Sequence, residues 1–354
     1  MGRREMSKEE KKINKKTKKG KLNWLRIILV LILIIMIVWL VSFILKINKN
    51  GGGMQGMIAT IVGHDTETLK DLDPLYVLVL GESISSDSRL TDTIMVCKYD
   101  PKTQTAAMLS IPRDTYTGTD RSKASAYYKI NNAYKAGTDP ENAIDAVNKI
   151  TGLDIEYYVW VNTNVLKELV DEIGGVYFDV PIDMNYTDVT QDLYIDIDKG
   201  YQLLDGKKAE QVVRFRHNDD GSTYPTEYGV EDYGRMKTQR AFITATLKQT
   251  LKPENILKVG DFLDIAYRNI KTNLSADIIK DYIPYAVNFS TENLKSDRLP
   301  GADEFVEETV TYMFFHSRSQ TQKLIQELFF NVAEEDEEQT NTVSNTTSNT
   351  NKSN

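Results

Sequence analysis

The sequence predicts an α/β layered domain carried behind a single membrane-spanning helix. Three observations support this. Short β-branched runs alternate with amphipathic helical stretches from residue 75 onward, the pattern of helices packed on a sheet. Residues 27–45, IILVLILIIMIVWLVSFIL, form an unbroken uncharged stretch, which at about 1.5 Å per residue nearly crosses a hydrocarbon layer of roughly 30 Å. With 41% hydrophobic residues over 354 positions, the chain can bury a sizeable core.

Residues 1–26 hold 11 Lys/Arg against 3 Glu, leaving 32 Lys/Arg against 48 Asp/Glu in the remainder. A basic flank ahead of the span places the N-terminus in the cytoplasm and everything after it outside the cell membrane. The apolar run is longer than a usual signal-peptide core and no small-residue cleavage site follows, so an uncleaved anchor is expected. The acidic remainder argues against a domain that binds nucleic acid through its phosphates. The sole cysteine, Cys97, has no intrachain partner and reads as a small buried hydrophobe within TIMVCKY.

LYVLVLG at 75–81 is apolar throughout, as a central strand covered on both faces would be. TIMVCKYDPKTQTAAMLSIP predicts two strands around a turn at Asp100, Pro101, Lys102 and Thr103, with aspartate and proline at its first two positions. ENAIDAVNKI at 141–150 spaces Ile144, Val147 and Ile150 for a helix, and EYYVWV at 156–161 returns as a strand. NTNVLKELVDEIGG then puts Val165, Leu166, Leu169, Val170 and Ile173 on one helical face before Gly174 and Gly175 end it. Residues 176–200 interleave Asp, Asn and Thr with single hydrophobes, a strand excursion or a long loop bordering a site.

LLDGKKAEQVVRFR predicts a turn and short helix entering a strand, with Arg214 and Arg216 on one strand face. A helix is expected from Asp232 to about Leu251, packed through Met236, Phe242, Ile243 and Leu247. Helical segments near 262–270 and 276–284 precede a loop, SDRLPG, at 296–301. FVEETVTYMFF and SQTQKLIQELFF predict one or two terminal helices. The expected organisation is a basic cytoplasmic segment at 1–26, the span at 27–45, a stalk at 46–74, the folded domain at 75–330 and a disordered polar tail at 331–354.

Two guanidiniums aimed to one side need a partner, because an unpaired buried charge is costly. Taken alone, the pair Arg214 and Arg216 serves either an internal ion-pair network, solvent or an anion. SIPRDTY ends a strand with Arg113 and Asp114, at the carboxyl end where ligand-binding loops gather in α/β sheets. SRLTDT sets Arg89 and Asp92 before the neighbouring strand, and EDYGRMKTQR spaces Asp232, Arg235 and Gln239 at offsets 0, 3 and 7 on one helix face. Converging on one cleft, these residues suit a polyanion and a divalent ion: arginines hold phosphate oxygens, and carboxylates bind Mg2+ or take a proton from a hydroxyl. Phosphoryl transfer is the matching reaction class. His217 is expected to point away from Arg216, into packing or solvent.

The ordered blocks LYVLVLG, SRLTDTIMV, AAMLSIPRDTY, KINNAYKAG, LVDEIGGVYFDVP, LLDG, VVRFRH and DYGR followed by Gln239 resemble the LytR-CpsA-Psr family from about Leu75 to Phe330. The resemblance implies an α/β/α sandwich with a central mixed sheet, whose apolar pocket takes a polyprenyl chain beneath a diphosphate held over arginines and Mg2+. It implies transfer of an anionic glycopolymer, such as teichoic acid or capsule, from an undecaprenyl-pyrophosphate-linked donor to peptidoglycan. The alternatives are a polyprenyl-pyrophosphate hydrolase and a noncatalytic envelope regulator that binds the lipid carrier. Carried over by motif, Arg113, Arg214, Arg216, Arg235 and Gln239 bind the substrate, with Arg89 beside them. Asp92 matches a metal or diphosphate-site ligand, and Asp232 either acts as a base or orients Arg235. Two positions depart from the family pattern: Ser83 stands where a second metal-associated aspartate is usual, with Glu82 expected to face the other way, and Thr238 stands where an arginine is frequent. The polyprenyl chain is expected between the sheet and the helices at 161–173 and 233–250.

Overall fold

The computed structural model describes residues 8–63, 72–82, 91–133 and 140–330. Two compact units divide at residue 70. In the first, helix α1 (Lys8–Lys49) turns through glycines into α2 (Gly53–Ile61). The stretch Ile28–Lys49 of α1 is long and apolar enough to cross a membrane, which supports a single membrane anchor. The expected stalk therefore contains ordered structure. Ile58 and Ala59 are fully buried and Asn50 Nδ2 donates to Thr60 Oγ1 at 2.9 Å.

The second unit begins with β1 (Leu75–Glu82), β2 (Thr91–Asp100) and β3 (Thr105–Ile111), an antiparallel meander whose β2–β3 turn is held by Asp100 accepting from Lys102 N at 2.9 Å. After α3 (Glu141–Thr151), β4 (Tyr157–Asn162) pairs parallel with β1. Helix α4 (Thr163–Glu172) starts where the Asn162 side chain accepts from Val165 N and is followed by Gly174 at φ 77°, a conformation open to glycine. The stretch left open between strand and loop forms two antiparallel pairs, β5 (Val176–Val180) with β8 (Gly200–Leu204) around β6 (Met184–Asp188) with β7 (Leu193–Ile197). Helices α5 (Gly206–Arg214), α6 (Glu231–Thr250), α7 (Pro253–Ile256) and α8 (Val259–Asn269) follow. Then come β9 (Lys271–Thr272), α9 (Ala276–Ala286), β10 (Leu294–Arg298), β11 (Gly301–Val306), β12 (Thr311–His316) and α10 (Arg318–Phe329).

The central sheet has the order β10-β3-β2-β1-β4-β9 and mixes parallel and antiparallel pairs. On one face Leu78, Leu80, Ile94, Val96 and Leu109 pack against Ile144 and Val147 of α3 and Ile325, Leu328 and Phe329 of α10. Each such side chain contributes about 1.5–3 kcal/mol when fully buried. On the other face lie α4 and α6. There the expectation for β1 is corrected: its burial alternates along the strand, because Val79, with Met95 and Cys97 of β2, borders a cavity instead of protein.

Three further expectations change. VVRFR is not a strand: Asp205 caps α5 by accepting from Lys208 N at 2.8 Å, Ala209 and Val212 bury on one helical face, and Arg214 ends the helix. FVEETVTYMFF is not helical but forms the β11–β12 hairpin, in which Val306, Met313 and Phe315 share the buried face. SDR of the expected loop lies in edge strand β10, parallel to β3. Arg89, Ser83 and the tail at 331–354 fall outside the described residues.

Candidate functional site

A cavity of about 790 Å3 opens between the sheet and helices α4 and α6. Its two ends differ in chemistry. Val79, Met95, Cys97, Val161, Leu166, Val213, Phe242 and Ile243 supply an apolar wall, while Arg113, Arg214, Arg216, Arg235, Asp92 and Gln239 supply the polar rim. Burial without a counter-charge pushes the Cys97 thiol up to about 12. That side chain retains some accessible surface, which the cavity explains. The small hydrophobe expected at this position is therefore a wall residue.

The rim is assembled by five separate segments. Arg113 leaves the end of β3 and its Nη1 donates to Asp92 Oδ1 on β2 at 2.6 Å, with Nε 3.8 Å from Asp114 Oδ2. Burial pulls down the Arg113 pKa, but Asp92 and Asp232 outweigh it and the net shift is upward. Lys129, whose Nζ lies 2.7 Å from Asp114 Oδ1, joins the same rim. From α5, Arg214 donates to Gln191 Oε1 at 2.9 Å and to Glu210 Oε1 at 3.2 Å. Phe215, fully buried, turns the chain so that Arg216 also reaches the rim. The two guanidiniums thus converge as the sequence predicts, although a helix end and a bend bring them together instead of a strand.

Helix α6 supplies the last segment. Arg235 is only 7% exposed and its Nη2 sits 2.5 Å from Asp232 Oδ1, while Arg216 Nε approaches the same oxygen at 3.5 Å. Burial lowers the Arg235 pKa most, Arg113 and Arg216 lower it further, and Asp232 and Asp92 oppose them. The Nε groups of Arg216 and Arg235 are buried without an aligned acceptor. A buried donor left unmatched costs about 1–3 kcal/mol, and Asp232 Oδ1, which both arginines approach, is likewise buried without an aligned donor. Gln239 fixes the helix, its Nε2 donating to Val213 O at 3.0 Å, with Thr93 Oγ1 3.4 Å from its Oε1. Gly234 is required by packing, since a Cβ there would meet the Tyr224 ring at 2.1 Å and Gly229 O at 2.3 Å.

Asp232 stands behind the arginines and does not line the cavity. Conversely, Glu82 does line it. The register of β1 and β2 shifts between Gly81 and Glu82, and such an irregularity re-aims the following side chain, which corrects the strand-alternation expectation. His217 also borders the cavity, edge-on to Tyr186 with ring centres 5.0 Å apart. Lys129 and Asn131 were signalled by the KINNAYKAG block, but nothing in their spacing disclosed a role. Among the described residues no cluster of three metal-ligating side chains occurs. Glu82, Asp92 and Asp114 are the carboxylates that border the cavity, and Mg2+ is commonly held by one or two carboxylates together with substrate phosphates.

The LytR_cpsA_psr family model matches residues 41–329. The chain belongs to the LytR-CpsA-Psr family. Among relatives, it is 30% identical over 210 residues to the polyisoprenyl-teichoic acid–peptidoglycan teichoic acid transferase TagU of Bacillus licheniformis, a match covering 59% of this chain and 63% of that one. The chain thus spans under two thirds of the length of that curated relative. The crystal structure of B. subtilis TagU superposes with a TM-score of 0.51 at 27% identity, covering 74% of this chain and 98% of the other. A structure of TagT bound to LIIa-WTA shares the fold, with a TM-score of 0.56 at 23% identity over 74% of this chain and 94% of that chain.

Proposed function

We propose that this LytR-CpsA-Psr protein transfers an anionic glycopolymer from an undecaprenyl-diphosphate donor to peptidoglycan outside the membrane. The observation that carries the reading is a cavity lined by an apolar wall and by four arginines. An isoprenoid diphosphate has the same division, a greasy tail and a doubly charged head. Each methylene placed against the wall contributes about 0.8 kcal/mol, so even part of a long tail holds the donor. The anchor keeps this domain at the surface where such a donor's head emerges, with the basic N-terminal flank on the cytoplasmic side.

In the reaction, an acceptor sugar hydroxyl attacks the phosphorus next to the glycan. A new P–O bond forms, the bond to undecaprenyl phosphate breaks, and the hydroxyl proton passes to the departing undecaprenyl phosphate. Arg113, Arg214, Arg216 and Arg235 neutralise charge growing on the phosphoryl and leaving oxygens. Asp232, held between Arg216 and Arg235, orients both guanidiniums. Asp92 and Glu82 would hold Mg2+, which supplies further neutralisation of the diphosphate when bound. Gln239 positions α6 against α5 through Val213 O.

Reconstitution of the full chain with a defined lipid-linked donor and peptidoglycan oligomers tests the reading. Polymer linked to the oligomers and released undecaprenyl phosphate are expected, with loss of both on chelation of Mg2+. Free polymer with acceptor left unmodified would instead establish hydrolysis. Donor binding without any turnover would establish a noncatalytic carrier-binding role.

A further inference from the structure

The short helix α2 follows the membrane span directly, and the reaction described above makes no use of it. As a helix the apolar stretch Ile28–Lys49 is about 33 Å long, against a hydrocarbon layer of about 30 Å. Asn50 therefore stands where the span leaves the lipid. Helix α2 begins just beyond it at Gly53, and Thr60, near its other end, accepts from Asn50 Nδ2 at 2.9 Å, so both ends are held at that level. The middle is held too: Gly52 N donates to Ile47 O at 2.9 Å, and a Cβ on Gly56 would lie 2.3 Å from that same oxygen and 2.9 Å from Asn50 O. Only glycine lets the two backbones approach so closely.

The faces of α2 are arranged the wrong way round for water. Gly56 and Thr60, small or polar, turn towards the end of α1. Ile58 and Ala59 are buried, whereas Met54 and Ile61 are 38% and 44% exposed, with Met57 half-buried between them. Positions 54, 57 and 61 share one helix face, so the open flank of α2 is apolar. No charged residue occurs from 50 to 63. Location selects what covers this flank: a helix pinned level with the exit of a membrane span is surrounded by the headgroup–acyl boundary, where interfacial helices bury their apolar faces. We propose that α2 lies in the lipid–water interface, with Met54, Met57 and Ile61 set among the phospholipids of the leaflet from which the span emerges. The free link to β1 is then residues 62–74, not the whole stretch from 46. This inference rests on the membrane anchor and is independent of the transfer reading.

The test uses the full chain in phosphatidylcholine vesicles, labelled with an environment-sensitive fluorophore at Met54→Cys, Met57→Cys or Ile61→Cys, one position at a time. Unaltered chain taken through the same labelling supplies the background from Cys97. Melting curves and flotation with the vesicles confirm that each labelled chain is folded and anchored, and three separate positions guard against a local disturbance at any one. At each position emission is expected to shift to the blue and to be lost when doxyl-labelled phospholipid is included, while iodide, present on both sides of the membrane, leaves it unchanged. Quenching by iodide in place of the doxyl lipid would put the flank in water and overturn the proposal. Protection from both quenchers would show that protein covers the flank, whether this chain's own folded domain or a second copy, and would overturn it equally. Neither donor nor acceptor is present, so failure here leaves the transfer reading untouched, and failure of that reading leaves the interfacial helix standing.

Discussion

Replacing Arg216 with glutamine separates ligand grip from folding at this rim. The side chain is 35% exposed, its nearest carboxylate contacts are 3.5 Å to Asp232 and 4.0 Å to Glu231, and neither is a close, aligned pair. Exposed ion pairs of this kind contribute about 0–1 kcal/mol, so Arg216→Gln leaves the melting temperature within a few degrees of wild type. The diphosphate contact is a different matter. Charge-assisted hydrogen bonds contribute about 1.5–3 kcal/mol, which at 1.4 kcal/mol per decade converts to roughly 10- to 150-fold in affinity. Fluorescence titration of a short-chain prenyl diphosphate against the full chain in detergent reads that change directly. Arg235→Gln is the contrasting variant: its guanidinium is buried and 2.5 Å from Asp232, so it weakens both binding and stability, the latter by about 3–5 kcal/mol. If Arg216→Gln binds the ligand within twofold of wild type, the rim does not hold the diphosphate and the mechanistic roles derived from it fail.

Filling the cavity at its wall with Cys97→Phe is expected to weaken prenyl diphosphate binding at least about tenfold through lost tail contact, while inorganic pyrophosphate, which has no tail, binds as before by the same titration. With its pKa near 12, the native Cys97 thiol is expected to resist water-soluble alkylating reagents at pH 8, as intact-mass spectrometry shows. Gly234→Ala introduces a contact at 2.1 Å with the Tyr224 ring; overpacking of this order costs about 1–3 kcal/mol, measurable as a lower midpoint in urea denaturation. Burial, aided by Arg318, depresses the pKa of His316 below its ordinary 6.5. The unfolded chain therefore binds this proton more readily, and stability is full above pH 6.5 and falls as pH drops towards the folded pKa. His316→Gln is expected to flatten that part of the stability profile between pH 7 and 5.

The apolar run at β1, the Asp100-Pro101 turn and the spacing of α4 and α6 were all legible because each depends on local chemistry. Two features were not. FVEETVTYMFF carries Val306, Val310 and Met313 at a helical spacing as well as alternating aromatics, and only the docking of Phe314 beside Asp114 and Tyr116 settles the strand. VVRFR, β-branched and aromatic, reads as a strand through Arg214, whereas the cap at Asp205 and the buried Ala209 and Val212 favour the helix. The rim residues themselves were recoverable from motif order, yet Glu82 was not, because a single shift of register reverses which side of the sheet it faces. The cavity was hidden for a more general reason: Val79, Met95 and Cys97 have the composition of a packed face whether or not protein covers them.

Helix α6 carries Arg235 and Gln239 at the charged end of the cavity and Phe242 and Ile243, one turn on, at its greasy end. A rigid rod cannot move one set of contacts and leave the other in place. If the cavity takes an isoprenoid diphosphate as proposed, any tilt of α6 that fits a different tail also swings the guanidinium at its N-terminal turn, so tail fit and head alignment are mechanically coupled.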